Sequence, residues 1–178
     1  MKRLVLLRHA KAVPLEAELE DHERALAEKG RDDIAHVAAY LKAEGVLPDV
    51  VLCSSAARTR ETLEIALAAW GSTPSVHVLD DLYLARWLTI VNLIRQVREP
   101  GQTLLVVGHN PGLEECARHL ALPPGDYQTR KLHQILQGEY PTATACVFRF
   151  EIESWSAVER SEGEIEYLIR PRDIPAAK

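Results

Sequence analysis

Leu4-Val5-Leu6-Leu7-Arg8-His9 sets four consecutive apolar residues against an Arg-His pair, and the same grammar returns at Val106-Val107-Gly108-His109. A short, unbroken apolar run of this kind is what a strand buried on both faces requires. Between the two, Val50-Val51-Leu52-Cys53 leads through Ser54-Ser55-Ala56-Ala57 to Arg58, where a helical pattern begins. If the three runs share one sheet, their carboxyl ends bring two arginines and two histidines to a single edge. Such a cluster suits a phosphoryl dianion.

Around these runs the chain alternates short β-rich stretches with amphipathic ones. That is the pattern of an α/β fold: a single-domain, three-layer αβα sandwich with a mainly parallel central sheet. Strands are expected at Arg3–Leu7, Val50–Cys53, Val76–Leu79 and Thr103–Val107. Later strands, edge or antiparallel, are expected at Thr144–Phe150 and Ile165–Ile169. The first long helix should run through Leu26, Ile34, Val37, Ala38 and Leu41 and end at Gly45, although Gly30 interrupts it. A second should carry Leu63, Ala66, Leu67 and Trp70 inward and stop near Gly71, and a third should use Leu84, Trp87, Leu88, Val91 and Ile94. After His109, Pro111 fits a first helical turn, with Leu113, Cys116, Ala117 and Leu120 as the buried face. The domain is expected over residues 1–170, with 171–178 as a C-terminal tail.

The chain has 178 residues, 47% hydrophobic and 26% charged, enough for a substantial core. A formal net charge of −5 offers no electrostatic reason to bind a polyanion, which speaks against a nucleic-acid partner. Cys53, Cys116 and Cys146 are scattered within apolar patterns and odd in number, so they read as buried thiols of a reducing compartment. No stretch approaches the roughly 18 apolar residues of a membrane span. A cytoplasmic monomer without a membrane partner is expected.

A histidine outside any constellation is ordinarily structural or surface, and so His22, His36, His77, His119 and His133 are read. His9 and His109 differ because each ends a buried strand. Arg8 differs from a surface arginine for the same reason. Arg58 sits at a helix start, where free N–H groups and the helix dipole favour an anion, and its guanidinium can hold two phosphate oxygens at once.

Leu7-Arg8-His9-Ala10, Ser54-Ser55-Ala56-Ala57-Arg58-Thr59-Arg60-Glu61-Thr62 and Gly108-His109-Asn110-Pro111-Gly112 resemble the signature segments of the histidine phosphatase (phosphoglycerate mutase-like) superfamily. The likeness extends to its SixA-type branch, the phosphohistidine phosphatases, through Arg24-Ala25-Leu26 with Gly30, through Leu82-Tyr83 and through Leu113-Glu114. Three departures accompany it: Ala10 where the family usually has Gly, Ser55 where it commonly has Pro, and Glu61 where it has Gln. None removes a charged or nucleophilic group.

The resemblance implies that His9 is the nucleophile, with Arg8, Arg58 and His109 holding the phosphoryl oxygens. A neutral imidazole attacks phosphorus, and water then hydrolyses the covalent phosphohistidine. No metal and no cofactor are required. Asp81, in Leu79-Asp80-Asp81-Leu82-Tyr83, matches the place of the superfamily's leaving-group acid, and Arg24 is a further candidate substrate contact. Short loops after His9 and His109 favour an open pocket and hence a phosphohistidyl protein as substrate. The alternatives are a small-molecule phosphate ester phosphatase or mutase of the same superfamily, or a noncatalytic phosphate-binding module. A cysteine-dependent phosphatase is excluded, since the sixth residue beyond Cys53 is Thr59 rather than arginine, and no P-loop is present.

Overall fold

The computed structural model describes residues 1–16 and 18–174. Its core is one six-stranded sheet in the order β3-β2-β4-β1-β5-β6. The strands are β1 (Lys2–Arg8), β2 (Val50–Ser54), β3 (Ser75–Leu79), β4 (Thr103–Gly108), β5 (Ala145–Phe150) and β6 (Glu164–Ile169). The pairs β1/β4, β4/β2 and β2/β3 are parallel, while β5 and β6 run antiparallel and close the opposite side. All six expected strands are present within one residue or so of their predicted limits, and the fold class is the one expected.

Strand alternation divides the core into two layers. Val5, Leu7, Val51, Cys53, Leu105 and Val107 point to one face, where they meet Ile34, Val37, Ala38 and Leu41 of α1 (Glu28–Ala43) and Leu63, Ala66 and Trp70 of α2 (Ala57–Trp70). Leu4, Leu6, Leu52, Leu104 and Val106 point to the other. There they meet α3 (Trp87–Gln96), α4 (Gly112–Leu120) and Leu136 of α5 (Tyr127–Gln137). The chain changes face when it changes direction across the sheet. It moves outward from β1 through α1 and α2, then returns from β3 to β4 through α3, as right-handed crossovers demand.

Several details depart from expectation. Leu26 precedes α1 and pairs with Ala12 in an isolated antiparallel bridge. Gly30 therefore lies in the first turn of α1 rather than in its middle, and it belongs there because the backbone of Lys11 runs against it. Gly45 and Gly71 end their helices in left-handed conformation, as predicted. In α3 the buried positions are Ile90, Val91 and Ile94, whereas Leu84 and Leu88 are exposed: the apolar face lies one notch further round than read. The tail expected at 171–178 starts with a docked 3-10 turn, Pro171–Asp173, and Ile174 packs against the α1 layer; residues 175–178 lie outside the described residues.

Gly30→Ala would bring a Cβ to 2.1 Å from the Lys11 carbonyl oxygen, so either α1 or the segment after His9 must move. The expected cost is on the order of 1–3 kcal/mol of stability. It is read as a lower denaturant midpoint with the same slope, and an unchanged midpoint would contradict the close approach.

Candidate active site

Register brings the strand ends together. Arg8 lies opposite Gly108 in the parallel β1/β4 ladder, and Cys53 lies opposite Val107 in β2/β4, so the residues that follow each strand emerge side by side. The His9 and His109 rings are 5.1 Å apart between centroids. Arg58 enters from the first turn of α2 and is almost wholly buried. The four groups expected to converge do so, around a cleft of about 450 Å³ that Lys11, Ala12, Asp21, Arg24, Leu84, Asn110 and Thr142 also help to line.

The segment carrying His9 is fixed at every peptide. His9 N–H donates to the Gly108 carbonyl at 3.0 Å, Ala143 N–H donates to the His9 carbonyl at 3.0 Å, and Ala10 N–H donates to Thr62 Oγ1 at 3.0 Å. The imidazole is held too: Nδ1 lies 2.7 Å from the Ala10 carbonyl oxygen, which can only accept, so Nδ1 carries the proton. Nε2 then bears the lone pair and has no hydrogen-bond partner among the described residues. Ala10 is fully buried, so the position where the family usually has glycine tolerates a methyl group here.

His109 is oriented by Ser54, whose Oγ lies 2.8 Å from its Nε2, and its Nδ1 lies 3.3 Å from an Arg58 terminal nitrogen. The Ser54 hydroxyl can accept from Nε2 or donate to it, so His109 can receive a hydrogen bond from Arg58 or present an N–H to an incoming oxyanion. Burial lowers the His9 pKa to about 4, with Arg58, Arg8 and Arg24 acting in the same direction against the Ala10 bond. Burial lowers that of His109 to about 3, helped by His9 and Arg58. Both rings are neutral at physiological pH, and a neutral His9 is what nucleophilic attack needs.

Arg8 and Arg58 both line the cleft, and the protein holds each guanidinium in place. Arg8 donates a terminal nitrogen to the Tyr140 carbonyl at 2.7 Å, and that peptide is itself braced by the Tyr140 hydroxyl donating to the Leu6 carbonyl at 2.7 Å. The Nε atoms of both Arg8 and Arg58 are buried without a partner. Two guanidinium groups lining one cleft with two neutral imidazoles form an anion cradle.

Asp21 was not anticipated as part of the site. It lies in the 3-10 turn Asp21–Glu23, and its carboxylate accepts from Arg58 at 3.0 Å, from Arg24 at 2.9 Å and from the Tyr83 hydroxyl at 2.6 Å. The Tyr83 hydroxyl, then Arg24 and Arg58, hold its pKa far below the usual carboxylate range. Arg24 lines the cleft as expected, yet its nitrogens are committed to Asp21 and to the Val13 carbonyl, so it braces the wall. His22, read as structural, sits just behind with Nε2 2.9 Å from Ser55 Oγ and its ring edge-on to Tyr83.

Asp81 corrects the sequence reading. It lies in the exposed turn Asp80–Leu82, where Leu82 takes the inward position, and it does not line the cleft.

Comparison with known proteins follows the same lines. The model of the histidine phosphatase superfamily (branch 1) matches residues 4–87. An uncharacterized protein of Mycobacterium tuberculosis is 32% identical over 153 residues, covering 86% of this chain and 92% of its own. An uncharacterized chloroplastic protein of Arabidopsis thaliana is 36% identical over 129 residues, and this chain, 67% of it aligned, spans 59% of that protein's length. Among solved structures, SixA of Agrobacterium tumefaciens superposes with a TM-score of 0.73 at 29% identity, covering 86% of this chain and 94% of that one. SixA of Nakamurella multipartitia gives 0.77 at 28%, covering 99% and 97%.

Two outcomes are expected. NMR titration of the ring nitrogens should find His9 and His109 neutral at pH 5, and a transition near 6.5 in either would contradict the burial. Since unfolded histidine takes its proton near 6.5, the unfolded chain binds more protons as pH falls from there toward 4, and stability should decline across that window. Asp81→Asn, by contrast, should leave turnover within about twofold, because the side chain faces solvent.

Proposed function

The chain belongs to the histidine phosphatase superfamily, and we propose that it is a metal-independent phosphohistidine phosphatase working through a covalent phosphohistidine on His9. The observation that carries this reading is the convergence of His9, whose Nδ1 is held by the Ala10 carbonyl, with Arg8, Arg58 and His109 around one cleft. The guanidinium groups bind the phosphoryl oxygens and neutralise their charge as it redistributes. Losing one such preorganised donor typically costs about 3–4 kcal/mol of transition-state stabilisation.

His9 Nε2 forms a bond to phosphorus as the scissile bond to the leaving group breaks on the opposite side. Water then attacks the phosphoryl group on His9, releasing inorganic phosphate and restoring the neutral imidazole. Division into two displacements lowers each barrier, and the Ala10 carbonyl steadies the ring by holding its Nδ1 proton throughout.

Substrate choice rests on the leaving group. Asp21 is the carboxylate that lines the cleft, and with three donors holding it ionised it has no proton to give at neutral pH. An alkyl phosphate would then have to expel an alkoxide unaided. A phosphohistidine leaves instead as neutral imidazole, having carried its own proton on the remote ring nitrogen. The SixA structures of Agrobacterium tumefaciens and Nakamurella multipartitia, which carry a provisional phosphohistidine phosphatase assignment, support the same substrate class. Exposed Leu84 lies at the rim of the cleft, which favours a side chain displayed on another protein.

The test is a matched panel of phosphohistidyl protein, phosphoserine peptide and sugar phosphate, with and without a chelator. Phosphohistidyl protein should be turned over at least a hundredfold faster in kcat/KM than either ester, with no chelator effect and with total loss in His9→Ala. Comparable or faster turnover of an ester would overturn the substrate assignment, and chelator inhibition would overturn metal independence.

A further inference from the structure

Arg58 does not meet the cleft as a free fork. One terminal nitrogen donates to the Asp21 backbone carbonyl at 2.5 Å, and the other donates to Asp21 Oδ2 at 3.0 Å while lying 3.3 Å from His109 Nδ1. Both terminal nitrogens are thus engaged by a single residue and by the second histidine. The Arg58 Nε is buried without a partner, so among the described residues Asp21 and His109 alone hold the guanidinium. Asp21 therefore fixes the orientation of the guanidinium in the cleft.

The same carboxylate ties three otherwise separate pieces of chain. Its Oδ1 takes the Arg24 Nε and a terminal Arg24 nitrogen at 2.9 and 2.8 Å, and its Oδ2 takes the Tyr83 hydroxyl at 2.6 Å as well as Arg58. Arg24 comes from the segment before α1, Tyr83 from the turn before α3, and Arg58 from α2. Its charge matters as much as its bonds. Four cations line the cleft, Arg8, Lys11, Arg24 and Arg58, and Asp21 is the single anion among the described lining residues. A cradle of four uncompensated cations would bind the reacting phosphoryl group tightly, and it would bind the product inorganic phosphate tightly as well.

We propose that Asp21 is the positioning residue of this cleft: it fixes the Arg58 guanidinium beside the two histidines and supplies the counter-charge that lets inorganic phosphate leave. The proposal rests on the phosphoryl-transfer reading and extends it to the product. Substrate binding and product binding use the same donors, so interactions shared by both raise no rate. A fixed anion behind the arginines weakens that shared attraction, while the orientation it imposes is kept for the transition state.

Asp21→Asn tests this because the side chain keeps its shape and one acceptor oxygen but loses the charge, and its NH2 cannot accept from the donors on the side it faces, Arg24 on one or Arg58 and Tyr83 on the other. With phosphohistidine as substrate, kcat should fall at least tenfold while the inhibition constant of inorganic phosphate drops about threefold to tenfold, meaning tighter product binding. Tyr83→Phe, which removes one hydrogen bond but leaves the Asp21 charge against Arg58, should keep both constants within about threefold. Thermal unfolding of each variant accompanies the kinetics.

A general loosening of the fold would weaken phosphate binding together with kcat. Phosphate affinity that falls or stays the same in Asp21→Asn therefore overturns the proposal, as does an unaltered kcat or a Tyr83→Phe enzyme as impaired as Asp21→Asn. If the wild-type protein neither hydrolyses phosphohistidine nor binds inorganic phosphate, the phosphatase reading falls and takes this one with it. Wild-type activity with the wrong Asp21→Asn pattern rejects the role of Asp21 alone.

Discussion

The parallel pairing of β1 with β4, with Arg8 directly opposite Gly108, is the constraint from which the site follows. Because the two strands run the same way and end level, His9 and His109 leave the sheet side by side rather than at opposite ends. β2, on the far side of β4, delivers Ser54 to the same level and starts the helix that carries Arg58. The ligand crevice of an open α/β sheet lies beyond the carboxyl ends of its strands, and this protein fills that crevice with cations.

Burying that much positive charge needs compensation, and the structure supplies it mostly from neutral acceptors. Tyr140 and Asp21 give backbone carbonyls to Arg8 and Arg58, the Ala10 carbonyl orders His9, and one carboxylate holds Arg58 and Arg24. Carbonyl dipoles fix a guanidinium without cancelling its charge. Burial first, and then the positive cradle, keeps both histidines neutral, and the nucleophile is available without a separate base.

Much of this was legible in the sequence. The strands were readable because runs such as Leu4–Leu7 admit no other environment, and α1, α2 and α4 because their apolar spacing is regular. α5 was missed: it buries only Leu136 fully, so its stripe is faint, although Asp126 and Thr129 form a capping box that marked its start. Asp21 was invisible for a different reason, since its reach to Arg58 and Tyr83 depends on how the segment after His9 folds back. The Asp21-x-x-Arg24 spacing was its one local trace. Asp81 was misplaced because position along the chain does not say which residue of a short 3-10 turn faces inward, and there Leu82 does.

The central claim, that His9 Nε2 carries the phosphoryl group between two displacements, is most directly tested by rapid quenching of the enzyme in alkali during turnover of phosphohistidine, followed by peptide mass spectrometry. The account predicts a phosphoryl group on His9 alone, stable to base and labile to acid, that forms and decays at rates consistent with kcat. A protein that turns over substrate with no phosphate on His9, or with phosphate on His109 instead, would contradict it.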